Sequence, residues 1–284
     1  MTAIFWGGTF IAGRMIAPVM DPYSAAFLRF FIASFFLIFL TLQIENQLPK
    51  ISLQQGIIVC LLGLTGIFSY NLCFFSGLHH IQANQASLII ATNPIFISLA
   101  SAVFFREKLQ INKIIGLGLS VTGALIVISD GHLLSIFSQG FGIGQIFIFG
   151  CVVSWVSYSI IGKKAMAGMS PVTSVCYSSI AGTVFLLIPA LFNGITGHIG
   201  NYGMMEWSSL FYLGFFGTVL GFFWYYEGIK EIGPVRAGMF INFVPVSAII
   251  LSYFILGEPL TRSLIIGGGC VVAGVWTANS HTPK

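Results

Sequence analysis

Apolar residues run almost without interruption along this chain, and the few breaks in them give the first elements. A helix of about 20 mostly apolar residues is long enough to cross a bilayer. Ten such stretches lie end to end: 3–20, 24–43, 54–77, 83–105, 112–129, 142–162, 171–192, 207–228, 233–256 and 262–279. The connections between them are short and leave no room for a soluble domain. The pattern predicts an all-α membrane protein of ten transmembrane helices.

The pattern is also written twice. "PIFISLASAVFFREKL" (Pro94–Leu109) returns as "PVSAIILSYFILGEPL" (Pro245–Leu260). A shift of 151 residues pairs Gly63 with Gly214, Gly66 with Gly217, Gly77 with Gly228, Ala86 with Ala237 and Glu107 with Glu258. It also pairs Gly116, Gly118 and Gly123 with Gly267, Gly269 and Gly274. Nearer the N-terminus the shift becomes 149, and Trp6 meets Trp155, Gly13 meets Gly162, Pro22 meets Pro171. Glycines alone would coincide cheaply, whereas an ungapped register that also carries Pro, Glu and Trp implies two homologous halves. The expected domains are residues 1–130 and 142–279, five helices each, with a short tail at 280–284. Five crossings are odd, so the second half enters the membrane inverted. Inverted repeats are a recurrent architecture of secondary transporters, with the binding site between the halves.

Composition narrows the class further. Of 284 residues only 7% are charged and 56% are hydrophobic, and the mean hydropathy is +0.94. A soluble surface needs about a quarter of the residues charged. The net charge of +4 is no nucleic-acid signal, because the basic residues sit at helix ends. They report orientation instead. With the N-terminus cytoplasmic, Lys50, Arg106, Lys108, Lys113, Lys163, Lys164, Lys230, Arg236 and Lys284 fall inside, and only Arg14, Arg29 and Arg262 fall outside or within the membrane. Both termini are therefore expected in the cytoplasm. The five cysteines are odd in number, lie in apolar runs and form no CxxC pair, so they read as packing residues. No basic stretch precedes the first apolar run, so a signal peptide is not expected.

The "FWGGTFIAGR" of the first helix, the "LRFFIAS" of the second, and the twice-used Pro, apolar run and Glu-x-Leu followed by glycines seven apart resemble the EamA-type branch of the drug/metabolite transporter superfamily. The resemblance spans nearly the whole chain. It implies a central cavity lined by helices 1–4 and 6–9, with helices 5 and 10 packed to one side. It also implies a carrier of amino acids or related small metabolites in the bacterial cytoplasmic membrane, acting as a monomer without cofactor or metal.

Polar and aromatic residues inside the spans are the candidate chemistry. Trp6, Thr9, Phe10 and Gly13 share one helical face, and Trp155, Tyr158, Ser159 and Gly162 repeat it. Lipid rewards neither hydroxyl nor indole N–H, so these stripes line a cavity or pack against other helices. Tyr70, Asn71, Thr92, Asn93, Thr218, Trp224 and Asn242 add groups able to hold the ends of a zwitterion, or to join helices by hydrogen bonds. Arg29 is costly in a bilayer unless paired or wetted. It either attracts a carboxylate or snorkels to the interface. Pro94 and Pro245 are candidate helix bends. Glu107 and Glu258 close their helices beside loops, where a carboxylate can bond the N–H groups of the next helix start. The remaining acids also lie near helix ends, so no midplane proton carrier is visible. The histidines sit on separate connections, and HExxH, GxSxG and phosphate-cradling motifs are missing from the sequence, which argues against an enzyme. A passive pore fits an inverted repeat less well than a carrier does.

Overall fold

Helix starts are set by short polar groups in the loops. Asp21 Oδ1 accepts hydrogen bonds from Tyr23 N and Ser24 N, both at 3.0 Å. Pro22 follows at the first helical position, where a missing N–H costs nothing. Ser170 and Pro171 repeat the device 149 residues on, with Ser170 Oγ accepting from Thr173 N at 3.3 Å. Ser52 and Gln55 form a reciprocal capping box,.

The computed structural model describes residues 1–105, 111–131, 142–166, 168–239, 241 and 243–279. Its helices are α1 (Thr2–Ile16), α2 (Pro22–Glu45), α3 (Leu53–His80), α4 (Ala83–Ile90), α5 (Asn93–Phe105) and α6 (Ile111–Ile128). They continue as α7 (Ile143–Ala165), α8 (Pro171–Phe192) and the single turn α9 (Ile195–His198). Next, α10 runs from Met204 to Met239, α11 covers Phe243–Leu251 with a π-helical tail to Leu256, and α12 spans Arg262–Asn279. No strand occurs among the described residues. Among the described residues six stretches are long and apolar enough to cross a membrane: Pro22–Glu45, Leu53–His80, Ala83–Phe104, Ile143–Ala165, Pro171–Phe192 and Met204–Gly228. Ile114–Val127, Phe243–Leu256 and Arg262–Thr277 are shorter apolar helices. The helix expected to begin at 233 does not begin there; α10 stays helical through Met239.

Two departures from regular helix shape the interior. First, α3 and α10 each contain a π-helical stretch, Gly63–Ser69 and Tyr212–Leu220, whose last residues lie 151 apart. Glycine lets these wide turns press onto neighbouring backbone. A Cβ added at Gly63 would lie 3.0 Å from Ser178 O, and one at Gly214 would lie 2.9 Å from Arg29 O. Thus α3 crosses α8 as α10 crosses α2. Second, the span 83–105 is broken at Ala91–Thr92. Thr92 Oγ1 donates to Ile89 O at 2.7 Å, and Thr92 O accepts from Ile95 N at 3.1 Å. Pro94 is the second residue of α5, directly after this break, and Pro245 is the third described residue of α11.

The main core is a single cluster formed by α1–α5 and α7–α11. On α2, Phe30, Ala33 and Leu37 face inward while Phe31, Phe35 and Phe39 are exposed, the one-sided face expected of a helix at a lipid boundary. The pair α6–α12 lies outside that core. It touches the rest through two small clusters, Ala91, Ile95, Val271 and Val275, and Leu88, Val127 and Leu264. Glu258 closes α11 as a structural carboxylate. Its partners, though, are Ala83 N at 2.8 Å and Asn84 N at 3.1 Å, at the start of α4 rather than at the neighbouring helix start. Glu107 lies outside the described residues.

Candidate functional site

The indole of Trp6 needs room on α10 and finds it where the sequence has glycine. Trp6 Nε1 donates to Gly217 O at 2.8 Å. A Cβ at Gly221 would sit 2.4 Å from that nitrogen, and one at Gly217 would sit 2.5 Å from Thr9 Cγ2. Gly217 and Gly221 therefore seat Thr9 and Trp6. Gly221→Ala is expected to push the indole off Gly217 and to cost about 1–3 kcal/mol, as overpacking does. Thermal unfolding in detergent and a shifted tryptophan emission would register it.

Beside Trp6 the two matched tryptophans meet. The Trp6 and Trp155 rings lie 5.5 Å apart, edge to face. Tyr70 approaches Trp155 at 5.4 Å, and Phe222 approaches it at 5.4 Å. These rings wall a cavity that also meets Thr9, Phe10, Arg29, Phe74, Ile90, Asn93, Ile241 and Val244. Its volume is about 40 Å³, enough for a few waters. Ligand pockets for small molecules run to hundreds of Å³, so the cavity in this arrangement is too small for a metabolite. A larger vestibule of about 420 Å³ approaches from the N-terminal end of α1, and Trp6 and Ile241 line both spaces. At the far end of α1 a cleft of about 410 Å³ is lined by Pro18, Asp21, His79 and His80, among others.

Among the described residues Arg29 is the one charged residue lining the cavity, and it is 3% exposed. It does not snorkel. Its Nη1 donates to Asn71 Oδ1 at 2.9 Å and its Nε donates to Thr218 Oγ1 at 3.1 Å. Both acceptors are neutral, and both are held by α3 and α10 backbone. Asn71 Nδ2 donates to Ile67 O at 2.8 Å, and Thr218 Oγ1 donates to Leu213 O at 2.9 Å, five residues back, as the π turn allows. The Phe30 and Phe74 rings flank the guanidinium at 5.2 and 6.0 Å, adding cation–π attraction. Among the described residues no carboxylate pairs with it. Two of its five N–H groups are thus engaged, its orientation is fixed and its charge is kept.

The cavity also holds an unanswered acceptor. Asn93 Oδ1 is buried without a hydrogen-bond partner among the described residues. Trp155 Nε1 is likewise buried without one, close to the Tyr225 hydroxyl but not in hydrogen-bond geometry. Buried polar atoms are paired in the great majority of cases, so these two atoms on cavity-lining residues have capacity for a further partner.

Of the sequence candidates, Trp6, Thr9, Arg29, Tyr70, Asn93 and Trp155 line the cavity. Asn71 and Thr218 stand behind Arg29. Tyr158 packs under Trp155 and Tyr226, Thr92 secures the helix break, and Trp224 lines the vestibule, stacked on Phe5. Asn242 lies outside the described residues. Sequence reasoning missed Ile90, Phe222, Ile241 and Val244, whose apolar side chains look like any lipid-facing residue. The internal register carried a signal all the same. Ile90 and Ile241 are 151 residues apart, as are Asn93 and Val244, and Phe222 matches Asn71.

The model of the EamA-like transporter family matches residues 1–129 and 142–280. A protein of Bacillus subtilis (strain 168) named uncharacterized transporter YyaM is 28% identical over 277 residues, covering 98% of this chain and 90% of that protein. A protein of Streptantibioticus cattleyicolor named probable terminal-alkyne amino-acid exporter is 27% identical over 288 residues, covering 99% and 92%. A solved crystal structure shares the fold with a TM-score of 0.69 at 19% identity, covering 98% of this chain and 94% of that one.

Proposed function

The chain belongs to the EamA-like transporter family and is a multi-pass membrane transporter, and from that premise we propose that it exports or exchanges amino acids, or closely related small metabolites, by alternating access. The observation that carries the substrate reading is the pairing of opposite needs in one cavity: a buried guanidinium with neutral partners and an orphaned amide oxygen. A zwitterion satisfies both, and the aromatic walls accept its side chain.

The proposed machine is two inverted halves of five helices, residues 1–130 and 142–279, in the bacterial cytoplasmic membrane with both termini inside. Mirrored contacts support it. Gly63 meets Ser178 O as Gly214 meets Arg29 O, each pair following from the other by the 151 and 149 shifts. In α6–α12, Gly123 faces Gly267 and Gly116 faces Gly274, so these matched helices run antiparallel, as inversion requires. The name of the Streptantibioticus relative points the same way for substrate.

Exchange tests the reading. Reconstituted vesicles preloaded with an amino acid are expected to accumulate the same labelled compound from outside, and unloaded vesicles much less. Equal uptake with and without preload would mean a passive facilitator. No uptake of any amino acid by folded protein would overturn the substrate class.

A further inference from the structure

We propose that Arg29 selects substrates by binding a carboxylate, and that the cavity orients every substrate with this anion toward α2 and α3 and its apolar part toward α11. The proposal rests on the transporter reading and deepens it by naming the charge class.

The argument starts from asymmetry in a repeated frame. The register of the two halves puts Ser178 opposite Arg29, Phe222 opposite Asn71 and Ile67 opposite Thr218. The first half therefore supplies the cation and one acceptor, Asn71, and the second half supplies the other acceptor, Thr218; the symmetry-related places hold a hydroxyl, a ring and an alkyl group. Asn93 also lines the cavity, and its matched residue is Val244. Among these places Arg29 and Asn93 of the first half line the cavity, and Phe222 and Val244 of the second half line it, so the symmetric scaffold carries one polar and one apolar set of lining residues.

The polar set is incomplete as it stands. A buried charge is costly unless it is paired and hydrogen-bonded, and Asn71 and Thr218 supply hydrogen bonds without supplying charge. The unengaged N–H groups of the guanidinium suit a carboxylate, which accepts in a planar fork. One guanidinium balances one negative charge, so a doubly charged phosphate would stay half compensated. Asn93 Oδ1 is left as the acceptor for an ammonium. The class expected is therefore compounds with a single carboxylate and an apolar or aromatic remainder, α-amino acids foremost; amines that lack the carboxylate are excluded. Arg29 then meets substrate directly, while Asn71 and Thr218 are positioning residues.

Matched pairs of probes test this on the intact, reconstituted protein: phenylalanine, phenylpropionate, phenylalaninamide and phenylethylamine, each as labelled solute against its own preload. Phenylalanine is expected to exchange, and the amide and the amine to fall at least about 100-fold below it, because a site built for a polar group rejects the analogue lacking that group. Arg29→Lys should retain part of the rate and Arg29→Gln should lose it, both judged only in protein that elutes as folded. Amine or amide exchanging as fast as phenylalanine would overturn the proposal, without any need of a variant. So would an Arg29→Gln protein at the wild-type rate. Exchange of phenylpropionate without phenylalanine would uphold Arg29 and overturn the amino-acid reading; exchange of neither acid would overturn both.

Discussion

Replacing Asn71 by Asp is expected to weaken carboxylate transport by about 10- to 100-fold while leaving the protein folded. Oδ1 of Asn71 already lies 2.9 Å from Arg29 Nη1, so a carboxylate at position 71 occupies the same space and pairs with the guanidinium at once. The bond to Asn71 is already charge-assisted through the guanidinium; an aspartate there adds the full opposite charge. The charge that would meet the substrate is then neutralised inside the protein. Losing a hydrogen bond to a charged group costs a ligand about 1.5–3 kcal/mol, which is one to two orders of magnitude in affinity at about 1.4 kcal/mol per tenfold. The substitution also removes the Nδ2 bond to Ile67 O, and the new ion pair offsets that loss. Asn71→Leu is the contrast: it leaves a buried cation short of an acceptor and should lower stability outright. Exchange assays and thermal unfolding on both variants separate the effects. An Asn71→Asp protein transporting phenylalanine at the wild-type rate would show that the charge of Arg29 is not what the substrate meets.

The second large effect lies far from the cavity, in the α6–α12 pair. A Cβ at Gly123 would sit 2.5 Å from Gly267 O and 2.8 Å from Val271 N. Both are backbone atoms in a helix, and neither can step aside alone. Gly123→Val is therefore expected to force the helices apart, costing about 1–3 kcal/mol or more and lowering the yield of folded protein. Helices in lipid gain little from apolar burial and associate through close backbone approach at small residues, so little else compensates. Gly118 and Gly269 stand on the same helices with nothing within 4 Å of an added Cβ. Alanine there should be neutral or stabilising by about 0.5–1 kcal/mol, the usual gain over a helical glycine. Unfolding temperatures of the three variants in detergent check the contrast; a Gly123→Val protein melting with wild type would refute the packing.

Much of this was legible in the chain. Helix starts follow from Asp21–Pro22 and Ser170–Pro171 because capping is local chemistry. Glycines spaced seven apart in α6 and α12 announced close packing, and Trp6 and Trp155 announced an inner face. The rest was illegible for definite reasons. The partners of Arg29 are 42 and 189 residues away, and only packing joins them. The π turns of α3 and α10 widen the helix without a composition that marks them. Glu258 was expected to serve the nearest helix start and instead caps one 174 or 175 residues back, since a loop carboxylate bonds what the fold brings near. Ile90, Ile241 and Val244 face a cavity with side chains that would suit lipid equally.

The fixed charge of Arg29 has a further consequence, in terms of voltage. A cation built into the protein at membrane depth feels the transmembrane field, and carrying one elementary charge across the whole membrane is worth about 2.3 kcal/mol per 100 mV. Whatever fraction of that path the guanidinium covers as the access side changes becomes a bias set by the cell's potential. A bound zwitterion leaves this charge uncancelled and a bound monoanion cancels it, so the two kinds of cargo would be driven unequally by the same membrane.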